Sequence, residues 1–102
     1  MTKRGDIVIA NGRPMLVVQS QVFDATSTVT VIPLTSQMLD LPLLRINVMP
    51  DERNGVSVPS QIAFSRITSL PRAHIAATAG RLDAATLRMV DQYIAMFLGL
   101  AD

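Results

Sequence analysis

The sequence predicts a mainly β (α+β) fold: a small, strongly curved antiparallel sheet or barrel with a C-terminal helix packed on it. Three observations support this prediction. Short apolar and β-branched runs separated by turn residues fill the first two thirds of the chain. The dipeptide Asn11-Gly12 lies between two of these runs and is a strong β-hairpin signal. Near the C-terminus, apolar residues recur with the spacing of one helix face.

The size and composition favour one domain with an aliphatic core. A chain of 102 residues is long enough for one hydrophobic core but not for two, so residues 1–102 are expected to form a single domain. Aromatic residues make up only 4% of the chain, so aliphatic and methionine side chains must fill the core. Charged residues are sparse at 17%, which leads us to expect that an oligomer covers part of the surface.

Charge and cysteine content narrow the function classes. A net charge of +1 provides no general attraction for nucleic acid, so a local cluster would have to hold any polyanion. The chain has no cysteine for disulfides, and residues 1–6 lack the apolar segment of a signal peptide. No stretch reaches the length of a membrane-spanning helix. We therefore expect a cytoplasmic protein that does not associate with membranes.

The sequence contains no familiar metal or nucleophile motif. It has no paired cysteines, no HExxH, no glycine-rich phosphate loop and no Ser/His/Asp order. The single histidine, His74, lies among alanine and isoleucine, where a packed or surface residue is more common than a catalytic base. The prediction is therefore that the protein uses no metal and no cofactor.

The first strands can be placed from the apolar runs and turn residues. Residues 6–10 form a short strand that ends at Asn11-Gly12. Residues 15–22 are predicted to continue as a buried strand, and the polar residues 24–27 as a turn. Residues 28–34 are rich in β-branched side chains and predict a further strand.

The middle of the chain predicts shorter strands. Residues 43–49 alternate between apolar and polar side chains, which is typical of a half-exposed strand. Residues 50–55 form a cluster of turn residues. Residues 56–67 predict either two short strands or one strand that is broken at Pro59.

The C-terminal part predicts a last strand and then the helix. A short helix or loop is expected after Pro71, followed by a strand near residues 75–79. Asp83 is placed as the N-cap of the helix, and Gly99 as the residue that ends it. One helix face would contact the sheet, and a second apolar stripe would be either buried in the same domain or packed on a partner chain. The first face contains Leu87, Val90, Ile94, Phe97 and Leu98, and the second stripe contains Met89, Tyr93 and Met96.

Two polar segments, residues 11–14 and 35–37, adjoin predicted strands and contain groups that suit a phosphate. Arg13 precedes Pro14, which biases its backbone towards extended geometry, and Gly12 leaves room for a ligand to approach. The planar guanidinium of arginine matches phosphate oxygens. Because loop residues are usually solvated, an ordinary surface turn is the commoner interpretation of each segment taken separately.

The second segment and a later polar set supply further hydrogen-bonding groups. Thr35, Ser36 and Gln37 can donate hydrogen bonds to phosphate or ribose oxygens. Ser60 and Gln61 belong to a later polar set whose spacing is not distinctive. An ordinary Ser/Thr turn is again the commoner interpretation of residues 35–37 taken separately.

Five short motifs follow one another along essentially the whole chain. They are Arg4-Gly5-Asp6-Ile7-Val8; residues 12–19 with residues 31–36; Arg45-Ile46-Asn47-Val48; Gly55-Val56 with Ser60-Gln61-Ile62; and Gly80-Arg81-Leu82-Asp83 with a helix that ends in Phe97-Leu98-Gly99-Leu100. In this order and spacing they resemble the MazF/PemK/Kid family of toxin endoribonucleases. Each motif is loose, but five in register are fairly specific.

The resemblance implies an SH3-like barrel with an appended helix, a homodimer, and neutralisation by a cognate antitoxin protein. It further implies metal-independent cleavage of single-stranded RNA (mRNA) at short sequences. The ribose 2′-hydroxyl would attack the adjacent phosphate, which leaves a 2′,3′-cyclic phosphate and a 5′-hydroxyl.

The resemblance also assigns roles to individual residues. Arg13 and Thr35 correspond to the catalytic residues of the family. The residues expected to bind RNA are Gly12, Ser36, Gln37, Ser60 and Gln61. Some members of the family have an aspartate, a candidate general base, where this chain has Ser60, and the loop of residues 7–12 is shorter than is common. The general base is therefore left unassigned.

Two other function classes remain open at this stage. The segments 18–20 and 31–34 also resemble CcdB-like toxins, which inhibit DNA gyrase through a terminal helix with a Trp-Gly-Ile ending. This chain has no tryptophan, and Arg13-Pro14 favours the nuclease. A non-catalytic SH3-like binding module is the third possibility, and an antitoxin gene immediately upstream would argue against it.

Overall fold

The computed structural model describes residues 2–101 and contains seven antiparallel strands followed by one α-helix. The strand order is β4-β5-β3-β2-β1-β7, and β6 pairs with β3. The elements are β1 (Asp6–Ala10), β2 (Arg13–Val17), β3 (Thr28–Thr35), β4 (Arg45–Val48), β5 (Ser60–Ala63), β6 (Thr68–Pro71), β7 (Ile75–Arg81) and α1 (Ala84–Phe97). Within residues 2–101 the sheet does not close into a barrel, because its end strands β4 and β7 do not pair with each other. The predicted mainly β fold with a C-terminal helix is confirmed.

The hairpin between β1 and β2 forms as the Asn11-Gly12 signal predicts. Asn11 has φ 53° and Gly12 has φ 75°, which is the left-handed conformation that a two-residue type I′ turn requires at both positions. Ala10 and Arg13 are the last paired residues of the hairpin. The turn therefore places Arg13 at the start of β2, at one end of the sheet.

The two faces of β1, β2 and β3 bury separate apolar clusters, because successive side chains of a strand point to opposite faces. Val8, Met15 and Val31 belong to one cluster, which β6 covers through Leu70. Ile7 and Ile32 belong to the other, which includes Phe64 and the helix residue Val90. The first cluster contains Val8, Ala10, Met15, Val17, Val29, Val31 and Leu70. The buried residues of both clusters are aliphatic except for Phe64 and Met15, as the low aromatic content predicts. The prediction that methionines help to fill the core is wrong for Met38, Met49, Met89 and Met96, which are all exposed.

The helix α1 has the predicted caps at both ends. The carboxylate of Asp83 accepts a hydrogen bond of 2.9 Å from the backbone N–H of Thr86. A hydrogen bond from the Thr86 hydroxyl, together with that N–H, lowers the pKa of Asp83 below its usual value. At the other end, Gly99 has φ 75° and its N–H donates to the Met96 carbonyl at 3.1 Å, as in a Schellman motif.

The helix is less buried than it would be if the domain itself covered the second apolar stripe. Val90 is its only fully buried residue in the described structure, and Tyr93 packs at a ring distance of 5.3 Å on Phe64. Met89 and Met96, in the second apolar stripe, are 44% and 39% exposed. The interpretation that the domain itself buries the whole stripe is therefore wrong.

The prediction of a strand over residues 15–22 is wrong beyond Val17. The Val18 N–H still donates to the Thr30 carbonyl at 3.2 Å, but the N–H of Thr30 donates to a side chain, Gln19 Oε1, at 3.0 Å. The chain then turns away in a one-turn 3-10 helix, Gln21–Phe23. The local sequence pattern does not show that a backbone N–H of β3 will bond to a glutamine side chain instead of to the backbone of β2.

The prediction for residues 56–67 is only partly correct. The strand is restricted to Ser60–Ala63, and Val56 is buried in a loop instead of a strand. The strand Thr68–Pro71 was not predicted; it ends in a proline, which has no N–H for a central strand, and it is hydrogen-bonded only to β3. The predicted strand at 43–49 shortens to Arg45–Val48, while the strand near residues 75–79 is confirmed as Ile75–Arg81.

The turn of residues 50–55 packs directly on β7 through two glycines. A Cβ atom on Gly80 would lie 2.2 Å from the carbonyl oxygen of Arg53, and one on Gly55 would lie 2.2 Å from that of Ala79. The N–H of Arg81 donates to the Arg53 carbonyl at 2.8 Å. This close backbone approach holds the segment before β5 in place.

We expect the substitution Gly80→Ala to destabilise the protein, because the new methyl group would overlap backbone atoms that cannot rotate away. Overpacking of this kind costs about 1–3 kcal/mol in the free energy of unfolding. Chemical denaturation followed by circular dichroism measures the change. As a control, Ala77→Ser, exposed on the same strand, should change stability by less than about 0.5 kcal/mol. Equal midpoints for the two variants would contradict this account of the packing.

Candidate active site

A cleft of about 540 Å³ opens where the β1–β2 hairpin, the end of β3 and the segment before β5 meet. Five of the residues singled out in the sequence line it: Gly12, Arg13, Thr35, Ser36 and Ser60. Gln37 and Gln61 do not line this cleft. The structure thus brings together two polar segments that are separated by more than twenty residues in the sequence.

Strand register explains why Arg13 and Thr35 meet. Strands β2 and β3 are antiparallel, and Met15 pairs with Pro33. Extending that register by two residues places Arg13 opposite Thr35. Because residues two apart in a strand point to the same face, both side chains lie on the face of Met15.

The guanidinium of Arg13 is available to a ligand. Arg13 is exposed, and its side chain forms no hydrogen bond or ion pair with any other residue in the range 2–101. Among the described residues that line the cleft, it is the only charged one. A Cβ placed on Gly12 would meet no atom within 4 Å, so the space beside the hairpin turn is open. The cleft therefore presents one unpaired cation at an accessible position.

The hydroxyl of Thr35 is oriented by its own turn. Its Oγ1 accepts a hydrogen bond of 3.1 Å from the backbone N–H of Gln37. This bond fixes the oxygen at the end of β3 and leaves the hydroxyl hydrogen to be donated to a ligand. Ser36 lies exposed between the two residues. The turn is of the ordinary Ser/Thr kind considered in the sequence, and it also faces the cleft.

The segment before β5 forms the opposite wall. Ser60 is buried, and its hydroxyl donates to the Val58 carbonyl at 2.9 Å. Ser57 and Val58 line the cleft as well, and Val58 is 48% exposed. Ser57 belongs to the same polar set as Ser60 in the sequence, but its spacing is not distinctive. Val58 was not selected, because the region was interpreted as strand.

Gln61 lies on the opposite side of β5 from Ser60. It is only 6% exposed, and its side-chain amide is fully hydrogen-bonded. Oε1 accepts from the Leu39 N–H and from Arg45 Nη1, both at 3.0 Å. Nε2 donates to the Leu39 carbonyl at 3.1 Å and to Asn47 Oδ1 at 2.9 Å. Gln37, by contrast, is exposed, and its carbonyl accepts from Arg45 Nη1 at 3.0 Å.

The groups around the cleft suit anion binding. A guanidinium and a hydroxyl on one face can together contact a tetrahedral phosphate. No carboxylate or imidazole is among the lining residues of the described chain, and His74 is exposed in the 3-10 turn Arg72–His74. Within residues 2–101 no three histidine, cysteine or acidic side chains are grouped as metal ligands. No described helix is both long and apolar enough to span a membrane.

Comparisons with known proteins agree on one family. Residues 3–98 match the family model described as PemK-like, MazF-like toxin of type II toxin-antitoxin system. Over 107 aligned residues the chain is 36% identical to a Mycolicibacterium smegmatis protein named "Probable endoribonuclease MazF", with 97% of this chain and 98% of that protein covered.

Solved structures show the same fold at lower sequence identity. One, described as an endoribonuclease in complex with its cognate antitoxin from a mycobacterial species, has a TM-score of 0.86 at 19% identity and covers 100% of this chain and 99% of its own. A MazE-MazF structure from Deinococcus radiodurans has a TM-score of 0.82 at 23% identity, with 98% of each chain covered. At such identities these two likenesses establish the fold only.

Proposed function

Since the chain belongs to the family of PemK-like, MazF-like toxins of type II toxin-antitoxin systems, we propose that it is an endoribonuclease toxin that cleaves single-stranded mRNA in the cytoplasm. One observation carries the proposal: the extended register of β2 and β3 sets Arg13 opposite Thr35, and both line one cleft, where no acidic side chain of residues 2–101 neutralises the arginine. An unpaired guanidinium beside an oriented hydroxyl is suited to a phosphodiester.

The proposed reaction needs neither water nor a metal to form its first products. The ribose 2′-oxygen forms a bond to the adjacent phosphorus and loses its proton, while the bond from phosphorus to the 5′-oxygen breaks and that oxygen gains a proton. The products are a 2′,3′-cyclic phosphate and a 5′-hydroxyl. Negative charge accumulates on the non-bridging oxygens of the phosphorane between these states.

Arg13 and Thr35 would act on that charge. The guanidinium of Arg13 can donate two hydrogen bonds to non-bridging oxygens, and the Thr35 hydroxyl can donate a third. A preorganised donor of this kind contributes about 10²–10³-fold to the rate. We assign neither residue the role of general base. Gly12, Ser36 and Ser60 would contact the RNA beside the cut site, and the exposed side chain of Gln37 would contact it farther along.

We also propose a homodimer and a cognate antitoxin as partners. The exposed apolar stripe of α1, with Met89 and Met96, is continuous with Phe97, which is 41% exposed. Burying these side chains against a second copy would remove a water-exposed apolar surface from one helix face. The neighbouring structures described as complexes with an antitoxin support the second partner.

The purified protein is expected to cut a long single-stranded RNA in the presence of EDTA and to leave 5′-hydroxyl ends. Polynucleotide kinase should label these ends without prior phosphatase treatment, and primer extension should map the cut sequence. Intact RNA under these conditions would contradict the nuclease proposal. Inhibition of gyrase supercoiling would instead support the CcdB-like alternative, and RNA binding without cleavage would support a binding module.

Replacing either proposed catalytic residue should abolish most of the cleavage. We expect Arg13→Ala and Thr35→Ala each to lower the single-turnover rate by about 10²-fold or more. Arg13→Lys should fall between Arg13→Ala and the wild type, because an ammonium retains the charge but not the planar fork. Arg88→Ala, at an exposed site on α1, is the matched control and should cleave normally. Full activity in both alanine variants, with circular dichroism unchanged, would refute the assignment.

The dimer proposal predicts a change of mass when the helix stripe is charged. We expect light scattering coupled to size exclusion to give twice the chain mass for the wild type. A Met89→Lys/Met96→Lys variant should elute as a monomer, because two buried lysines would be left unpaired in the interface. Val22→Lys, at an apolar residue 79% exposed in the 3-10 turn Gln21–Phe23, should remain dimeric. A monomeric wild type would disprove the homodimer.

A further inference from the structure

We infer that Gln61 is a positioning residue: it clamps the segment 37–39 and, through that segment, orients the Thr35 hydroxyl. The inference rests on the proposed function for the role of Thr35, but the clamp itself can be tested without RNA. Gln61 is paired with Thr35 in the register of β3 and β5, but its side chain does not line the cleft that Ser60 lines.

The amide of Gln61 binds the backbone of Leu39 as a neighbouring strand would. It accepts from the N–H at 3.0 Å and donates to the carbonyl at 3.1 Å, so that one side chain satisfies both backbone groups of one loop residue. Gln61 itself is only 6% exposed, although Leu39 lies at the surface. Breaking the bonds would therefore be costly on the side of Gln61, because its buried amide would lose its partners without gaining water.

Arg45 and Asn47 complete the clamp on the neighbouring strand β4. Arg45 Nη1 donates both to Gln61 Oε1 and to the Gln37 carbonyl, each at 3.0 Å. Asn47 Oδ1 accepts from Gln61 Nε2 at 2.9 Å. The two ends of the segment 37–39 are therefore attached to the same group of side chains.

A hydrogen bond between Gln37 and Thr35 connects the clamped segment to the cleft. The Gln37 N–H donates to Thr35 Oγ1 at 3.1 Å, so the position of Gln37 decides where that hydroxyl can accept and donate. Residues 36–41 are exposed and form neither helix nor strand. Ordering such a segment costs about 1–2 kcal/mol per residue in conformational entropy, and the clamp bonds offset this cost.

Direct contact between Gln61 and RNA is the competing role. A glutamine amide has two N–H donors and one carbonyl oxygen with two lone pairs, and the four described bonds use this whole capacity. A base could be read by Gln61 only if one of these bonds were broken. The geometry therefore favours positioning over contact.

The test replaces Gln61 with methionine, which has a similar length and cannot make these bonds. We expect the single-turnover cleavage rate of Gln61→Met to fall on the order of 10- to 100-fold, because a displacement of about 1 Å in a catalytic group has such an effect. Affinity for an RNA carrying a 2′-deoxyribose at the cut site should change by less than about threefold. In the free protein, hydrogen exchange at the amides of Gln37 and Leu39 should become faster.

Two further variants keep the test independent of folding. Gln61→Glu retains both acceptor bonds and should recover part of the rate. Asn47→Ala removes a single clamp bond at an exposed site and should show a smaller effect of the same kind, even if Gln61→Met unfolds. Gln21→Met, at an exposed glutamine outside the clamp, is the matched control and should match the wild type.

The outcomes separate the two proposals. Wild-type rate and exchange in Gln61→Met would overturn the clamp. Weaker RNA affinity with unchanged exchange at Leu39 would also overturn it and would identify an RNA contact instead. If the wild-type protein does not cleave RNA, the nuclease proposal fails, and the exchange at Gln37 and Leu39 still decides whether Gln61 holds the segment.

Discussion

The pairing of strand β3 is the constraint on which the rest of the structure depends. One edge of β3 pairs with β2, while its other edge pairs first with β6, from Thr28 to Val31, and then with β5, at Leu34 and Thr35. This change of partner lets the sheet curl around two apolar clusters. It also brings the end of β3 between β2 and β5, so that Thr35 lies between the start of β2, where Arg13 is, and its β5 partner Gln61.

Features that depend on a few consecutive residues could be predicted from the sequence. Asn11-Gly12 turns the hairpin because both residues tolerate positive φ, Asp83 caps α1 because its carboxylate reaches a free N–H, and Gly99 ends it. Features that depend on distant partners could not be predicted. Strand β2 ends at Val17, and the side chain of Gln19 then bonds to Thr30, eleven residues away. Thr68–Pro71 is a strand only because it pairs with the edge of β3.

In the candidate site, too, some features could be predicted from the sequence and others depend on distant contacts. Arg13 and Thr35 could be selected from the sequence, because a turn guanidinium and a strand-end hydroxyl suit phosphate chemistry. Ser60 and Gln61 have different surroundings: neighbours in β5 point to opposite faces, and Ser60 lines the cleft whereas Gln61 contacts the segment 37–39. Nothing in the sequence shows that Gln61 meets Leu39, because that contact requires the irregular segment 36–41 to fold back over β4 and β5.

The distribution of cations explains how a chain of net charge +1 can act on a polyanion. Arg4, Arg45, Arg72 and Arg81 all donate from their side chains to other groups of the protein. The side chains of Arg13, Arg53, Arg66 and Arg88 have no such bond within residues 2–101, and of these four only Arg13 lines the cleft. Each neutralised phosphate of a single strand contributes a slope of only about 0.7 to the salt dependence of binding. The uncharged groups of the cleft, such as Ser36, Ser57 and the exposed face of Val58, must therefore supply much of the remaining affinity. Because such groups distinguish bases where a phosphate contact does not, a cleft with a single cation favours cutting at particular sequences over binding RNA at random.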